Sequence, residues 1–160
     1  MFLSPLKKYS EKLFNLSFIC FVVAVWLLSY VIALPFYLFG ADLPDPIGEY
    51  DIVVRIIGGI FIAPIFETLI FQSFLIYIFT KVLIKNRYFA IFISALAFGL
   101  VHYYSIVYVL YAFFMGLYFA WTYLNYYEKR GFSHAFWAIT LVHALWNTVV
   151  EILLTHFPST

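Results

Sequence analysis

A single acid inside a long apolar stretch is the feature that most constrains this chain. The stretch runs from Ile60 to Thr80, IFIAPIFETLIFQSFLIYIFT, and Glu67 is its only charged residue. Arg55 lies twelve residues before Glu67 and Lys81 fourteen after it, so in a helix each is roughly 20 Å away. Because a carboxylate at that depth in hydrocarbon is costly, Glu67 indicates either a functional site or a buried partner.

The rest of the composition places this stretch in a membrane protein. Of the 160 residues, 66% are hydrophobic and 11% are charged, whereas a soluble domain carries about 25% charged residues. Several apolar runs approach or exceed the roughly 20 residues that cross a bilayer as a helix. We therefore predict an all-α, polytopic transmembrane helix bundle whose partner is the lipid bilayer. No basic stripe suited to nucleic acid is present.

Loops and charged turns divide the chain into about five predicted spans. Residues 1–15 form a basic N-terminus, 16–39 a first transmembrane helix, and 53–154 the remaining four spans. Pro64 should kink or break the second span, and Ser133 is the expected N-cap of the fifth. The spans are predicted, in order, at about 16–39, 53–84, 88–104, 106–124 and 133–154.

Lysine and arginine predict the orientation of these spans. Eight of the nine lie in the N-terminus, the turn at 81–87 and the loop at 128–130, and an up-and-down path of five spans places all three on one side. By the positive-inside rule the N-terminus is then cytoplasmic and the C-terminus lies outside.

Three spans carry an ionisable side chain at a similar predicted depth. Glu67 precedes Lys81 by fourteen residues, His102 follows Arg87 by fifteen, and His143 follows Arg130 by thirteen. Each group should therefore lie roughly 20 Å from the basic end of its helix. In addition, Asn147 lies one turn from His143 on the same face, and Phe98 lies one turn from His102.

An acid, two imidazoles and an amide are suited to hydrolysis. A glutamate can accept the proton of a water, while a histidine orients that water and a second histidine with an asparagine stabilises the oxyanion. The same Glu67, His102 and His143 also match a two-histidine, one-glutamate zinc site. The cofactor is therefore unknown: zinc is a candidate, and none is needed if the glutamate acts as the base.

The segments PIFETLIFQ, FGLVH and HALWN resemble the CPBP intramembrane proteases, which include the Rce1-like CAAX prenyl proteases and bacteriocin-processing or immunity proteins. The resemblance implies an intramembrane endopeptidase with a four-helix catalytic core over 53–154, which cleaves a membrane-associated or lipidated peptide, a prenylated CAAX-like one being a candidate. For this family, mechanisms with and without a metal have both been described. Glu67 and His102 would activate water, and His143 and Asn147 would form the oxyanion site.

The chain departs from the family pattern at two neighbouring positions. Family members carry a second glutamate where this chain has Thr68, and an arginine where it has Gln72. These positions are four apart, so a charged pair is replaced by a neutral pair across one helical turn. Both residues remain supporting candidates, together with Phe98.

Two other functions are compatible with the sequence. A non-catalytic immunity or scaffolding protein could keep the fold, and a small proton-coupled transporter could use Glu67 and the histidines as a relay. Ala112, Gly116 and Ala120 form a small-residue face that could serve bundle packing or a dimer. Glu151 is expected to be solvated near the outer end of the fifth span.

Overall fold

The structure is a computed structural model that describes the backbone of residues 5–38 and 50–156, and most side chains from residue 16 to residue 152. This part of the chain forms five helices and no strand, which confirms the predicted all-α bundle. In order they are α1 (Pro5–Leu38), α2 (Ile52–Leu83), α3 (Arg87–Val101), α4 (Ile106–Arg130) and α5 (Phe132–His156). The side chains of the basic segment 1–15, and residues 40–49 of the acidic loop, lie outside the described residues.

Each predicted span coincides with one helix, but the helices differ in length. Within the described residues, α2, α4 and α5 are long and apolar enough to cross a membrane. The apolar segment Leu16–Ile32 of α1 is shorter, and α3 has only 15 residues. The outer surface of the bundle carries large apolar side chains from every helix, among them Leu27, Phe61, Phe92, Phe114 and Trp137. Such a surface is stable in lipid and not in water.

Helix α2 is the least regular of the five. Three of its stretches have the wide turns of a π-helix: Arg55–Ile62, Thr68–Leu75 and Ile78–Leu83. Between the first two lies a regular turn, Ala63–Glu67, which contains Pro64. The predicted break at Pro64 is not seen, because the helix continues past the proline with wide turns on both sides. Wide turns of this kind often accompany functional sites.

Helices α3 and α4 approach each other closely at two glycines. A Cβ atom built on Gly116 would lie 3.0 Å from the Cα of Ala95, and one on Gly99 would lie 2.9 Å from the Cβ of Phe113. Ala112 and Ala120 are buried on the same face of α4. The small-residue face of α4 therefore serves packing inside the bundle.

The connections after α2 are short and capped. Asn86 accepts hydrogen bonds from the first backbone N–H groups of α3, and Ser105 accepts one from Tyr108 at the start of α4. Gly131 alone separates α4 from α5, at a φ of 80° that favours glycine. The expectation that Ser133 caps the last helix is wrong, because α5 already begins at Phe132.

Aromatic side chains attach α1 to the remaining helices. Phe21 stacks on Tyr126 of α4, with ring centroids 4.0 Å apart, and Tyr30 packs against Trp146 of α5 at 4.8 Å. Ser29 is fully buried and returns its hydroxyl hydrogen bond to the carbonyl of Val25. Because these contacts involve α4 and α5, α1 supports the helices that surround Glu67 from one side.

Candidate active site

The carboxylate of Glu67 faces two imidazoles from other helices. Its Oε2 atom lies 3.5 Å from Nε2 of His143 and 4.0 Å from Nε2 of His102. Among the described residues, this oxygen has no hydrogen-bond partner. The structure therefore brings together the acid and both histidines that were selected at matched depth, with gaps slightly longer than direct hydrogen bonds.

His102 ends α3 and is held in one orientation by that helix. Its Nδ1 atom lies 2.6 Å from the carbonyl oxygen of Phe98, one turn earlier. Since a carbonyl can only accept, Nδ1 carries the proton and the neutral ring keeps a lone pair on Nε2. That lone pair is on the nitrogen nearest Glu67. His102 can therefore accept a hydrogen bond from a donor located between its ring and Glu67.

His143 lies deep in the bundle on α5. Its side chain is only 6% exposed and packs against the rings of Phe98 and Phe119, with centroids 5.8 Å and 5.2 Å away. Nδ1 has no hydrogen-bond partner among the described residues. No second bond therefore fixes which nitrogen carries the proton, and the ring can present an N–H toward Glu67.

Phe98 lies between the two histidines. Its ring centroid is 4.6 Å from that of His102 and 5.8 Å from that of His143, and its carbonyl accepts the bond from His102. Phe98 is almost completely buried. It therefore packs against both of the imidazoles that face Glu67.

Asn147 lies one turn beyond His143 on α5, as the spacing predicts. Its side-chain amide donates a hydrogen bond of 2.7 Å to the backbone carbonyl of Gly59 on α2. One of its two N–H groups therefore connects α5 to α2, near the site but on the Gly59 side of it.

A family model confirms the resemblance that the motifs indicate. The model described as Type II CAAX prenyl endopeptidase Rce1-like matches residues 49–149, well over half of the chain. The chain belongs to the Rce1-like family. At the level of the family, this supports a CAAX-type intramembrane protease. No curated protein and no solved structure matches the chain.

The two departures of this Rce1-like chain are both fully buried. Thr68 directly follows Glu67, and Gln72 lies one turn further along α2. Among the described residues, neither the Thr68 hydroxyl nor either polar atom of Gln72 has a hydrogen-bond partner. The expected neutral pair is therefore not joined by a hydrogen bond. The loss of the family's two charges leaves unpartnered polar atoms beside the site.

Glu151 of this Rce1-like chain is not solvated, contrary to the expectation from its position. It is buried and pairs with Arg55 at the start of α2, where Nε of Arg55 lies 3.0 Å from Oε1 and Nη2 lies 3.0 Å from Oε2. The pair joins positions 96 residues apart. A sequence signal was available: Arg55 is the only basic residue outside the three basic clusters, so it needed an acidic partner.

A metal ion at the Rce1-like site would need at least three donor side chains that converge on one point. Among the described residues, no group of three histidine, cysteine, aspartate or glutamate side chains is arranged to hold a metal ion. The zinc interpretation of Glu67, His102 and His143 therefore gains no support, and neither does the description of the chain as a metalloendopeptidase.

Proposed function

We propose that this Rce1-like protein is an intramembrane endopeptidase that cleaves a membrane-associated peptide, of which a prenylated CAAX-like peptide is the best candidate. The observation that supports this most directly is that the carboxylate of Glu67 lies opposite Nε2 of His102. Because Nδ1 of His102 donates to the carbonyl of Phe98, Nε2 carries the lone pair of the neutral ring. Two proton acceptors 4.0 Å apart can each accept one hydrogen of a single water between them. The oxygen of that water is then free to attack.

Hydrolysis would begin when this water attacks the carbonyl carbon of the peptide bond. One proton passes to Glu67, which acts as general base. The tetrahedral intermediate then collapses, the carbon–nitrogen bond breaks, and the protonated Glu67 returns the proton to the leaving amine. His102 orients the water throughout and needs no net change of charge.

The oxyanion of the intermediate requires hydrogen-bond donors in a site of low polarity. His143 can donate from Nε2, the nitrogen nearest Glu67. Asn147 uses one N–H on Gly59, and a side-chain amide carries a second. We assign these two residues to the oxyanion site and Thr68, Gln72 and Phe98 to its support.

The catalytic core in this proposal comprises residues 53–154, with the first helix packed beside it. We also propose that the N-terminus is cytoplasmic and the C-terminus outside, on the basis of the eight clustered basic residues. Cysteines introduced at Lys85 and at Tyr50 in a Cys20→Ala background test this. An impermeant thiol reagent added outside intact cells should label only position 50, and labelling of position 85 instead would reverse the orientation.

The activity is tested with the purified protein in liposomes and a prenylated CAAX-like peptide. Glu67→Gln keeps the shape of the side chain but removes the base, so kcat should fall by about 10³-fold. Glu128→Gln is the matched control, because Glu128 is half-exposed at the far end of α4. This variant should cleave the peptide like the wild type. Cleavage that survives both Glu67→Gln and His102→Ala would refute the assignment.

A second candidate is a non-catalytic protein of the same fold, such as an immunity or scaffolding factor. The neutral residues Thr68 and Gln72 beside Glu67 favour it, because the carboxylate and the cation of the family motif are both missing there. In that case Glu67→Gln would leave the cellular phenotype intact. Loss of the phenotype together with loss of cleavage would favour the protease.

A further inference from the structure

We infer that Arg55 and Glu151 are positioning residues that set the separation between Glu67 and His143; the effect on cleavage rests on the proposed function, whereas the effect on geometry does not. Together with Gly59 and Asn147 they form the α2–α5 clasp. Its members contribute an ion pair and a hydrogen bond between the two helices that carry the acid and the buried histidine.

The ion pair has the geometry of a strong contact. Both oxygens of Glu151 lie within 3.0–3.2 Å of Nε or Nη2 of Arg55. The side chains are only 14% and 11% exposed, so neither charge is well solvated. A paired arginine and carboxylate in such a place bind in a fixed orientation, and loss of one partner leaves an uncompensated charge.

The clasp and the site lie along one edge of α5. His143, Asn147 and Glu151 are spaced four residues apart and therefore share one face of the helix. Each contacts α2: His143 faces Glu67, Asn147 binds Gly59, and Glu151 pairs with Arg55. Since α2 and α5 run antiparallel, the contacts follow one another along the interface. A shift of α5 relative to α2 at Glu151 should therefore also change the distance between His143 and Glu67.

The first part of α2 has no fully buried side chain among the described residues, so its polar contacts with α5 weigh more there than elsewhere. The stretch Arg55–Ile62 contains no buried residue and has the wide turns of a π-helix. It includes two consecutive glycines, and a Cβ atom on Gly58 would meet nothing within 4 Å. Pro64 follows and lacks a backbone donor. Without the clasp, this segment could bend away from α5 and carry Glu67 with it.

The α3–α4 interface supplies a control ion pair, which joins the start of α3 to the end of α4. Nη1 of Arg87 lies 3.5 Å from Oε2 of Glu128, with side chains 38% and 49% exposed. The residue types are the same as in the ion pair of the clasp, but this pair is much more exposed and joins helices that do not include α2. Arg87 also donates a hydrogen bond of 2.9 Å to Oδ1 of Asn125 on α4. Exposed pairs of this kind contribute little to stability. The same charge changes made here should affect neither geometry nor cleavage.

The experiment compares charge reversal and charge exchange at the two pairs. Arg55→Glu, Glu151→Arg and the double exchange are made in a Cys20→Ala background, and the corresponding three variants are made at Arg87 and Glu128. Spin labels at the exposed positions Ile62 on α2 and Leu145 on α5 report the distance between the helices. Cleavage of the prenylated peptide in liposomes is measured on the unlabelled proteins.

Each single reversal at the clasp should broaden the distance distribution and lower kcat by roughly 100-fold, the cost of a misplacement of about 1 Å. KM should change less, because Arg55 and Glu151 do not touch substrate. The double exchange should restore a narrow distribution and most of kcat, and the control variants should match the wild type. A double exchange that restores neither, or single reversals that change neither, would overturn the inference.

Two further outcomes separate this inference from the proposed function. A wild-type protein that does not cleave but whose label distance responds to Arg55→Glu supports the clasp and counts against the protease. If the reversed variants do not fold, Glu151→Gln replaces them, since it keeps an acceptor and removes the charge. An unchanged distance and unchanged kcat in Glu151→Gln would then refute the clasp.

Discussion

The α3–α4 and α2–α5 interfaces join helices of the same bundle by different means. At the first, Gly99 and Gly116 let two backbones approach until an added Cβ would collide. At the second, the contacts include an ion pair, an amide-to-carbonyl bond and an acid opposite an imidazole. At the first interface, no side chain larger than that of glycine fits at these two positions. At the second, each polar side chain needs a partner of matching charge or hydrogen-bonding type. The candidate chemistry depends on the second kind.

The largest expected effect concerns charge beside the polar interface. Thr68→Glu places a carboxyl group at a fully buried position with no described partner, and should reduce the free energy of unfolding by about 3 kcal/mol. Adding Gln72→Arg restores the pair of the family and should recover most of that loss. The measurement is unfolding in mixed micelles with increasing SDS. If the double variant is as unstable as the single one, the two positions do not act as a pair.

A medium effect is expected at the close-packed interface. Gly116→Val would force α3 and α4 apart at Ala95, and overpacking of this kind costs about 1–3 kcal/mol. Gly58→Ala is the matched control on α2, where a Cβ meets open space, and it should leave stability unchanged or raise it slightly. The same SDS titration compares the two. Equal effects would mean that the contrast between the interfaces is false.

The smallest effect concerns the single hydrogen bond from Asn147 to Gly59. Asn147→Ala should lower stability by about 0.6 kcal/mol, the average for such bonds between membrane helices. Its effect on cleavage should be much larger, since an oxyanion donor is worth about 10²–10³ in kcat. Activity and unfolding measured on one preparation separate the two. Equal losses in free energy would leave Asn147 with a structural role only.

The sequence was sufficient to predict that Glu67, His102 and His143 meet, because depth can be counted from the basic ends with the rise of a regular helix. The wide turns of α2 did not shift Glu67 out of reach of the histidines. It was not sufficient for the partners of Asn147 and Glu151. One is the backbone carbonyl of Gly59, which leaves no trace in residue types, and the other depends on the register between helices far apart in sequence.

The irregularity of α2 was also only partly predictable. Pro64 and the glycine pair indicated a weak helix, and the expected result was a kink or a break. The break is absent, because the chain continues as a helix past the proline, with wide turns on both sides. The predicted cap at Ser133 was also wrong: Ser133 lies inside α5, because Gly131 makes the turn and the helix begins at Phe132.

The shortness of α3 has a consequence for how reactants reach Glu67. Its 15 residues rise about 22 Å, whereas the hydrocarbon layer is about 30 Å thick. With Arg87 at one head-group level, we expect His102 and the turn after it to lie below the other. Any backbone group of that turn without a protein partner needs water there, because acyl chains offer no hydrogen bonds. We therefore expect the bilayer to thin beside His102 or water to enter there, and either would bring the aqueous phase closer to the carboxylate of Glu67.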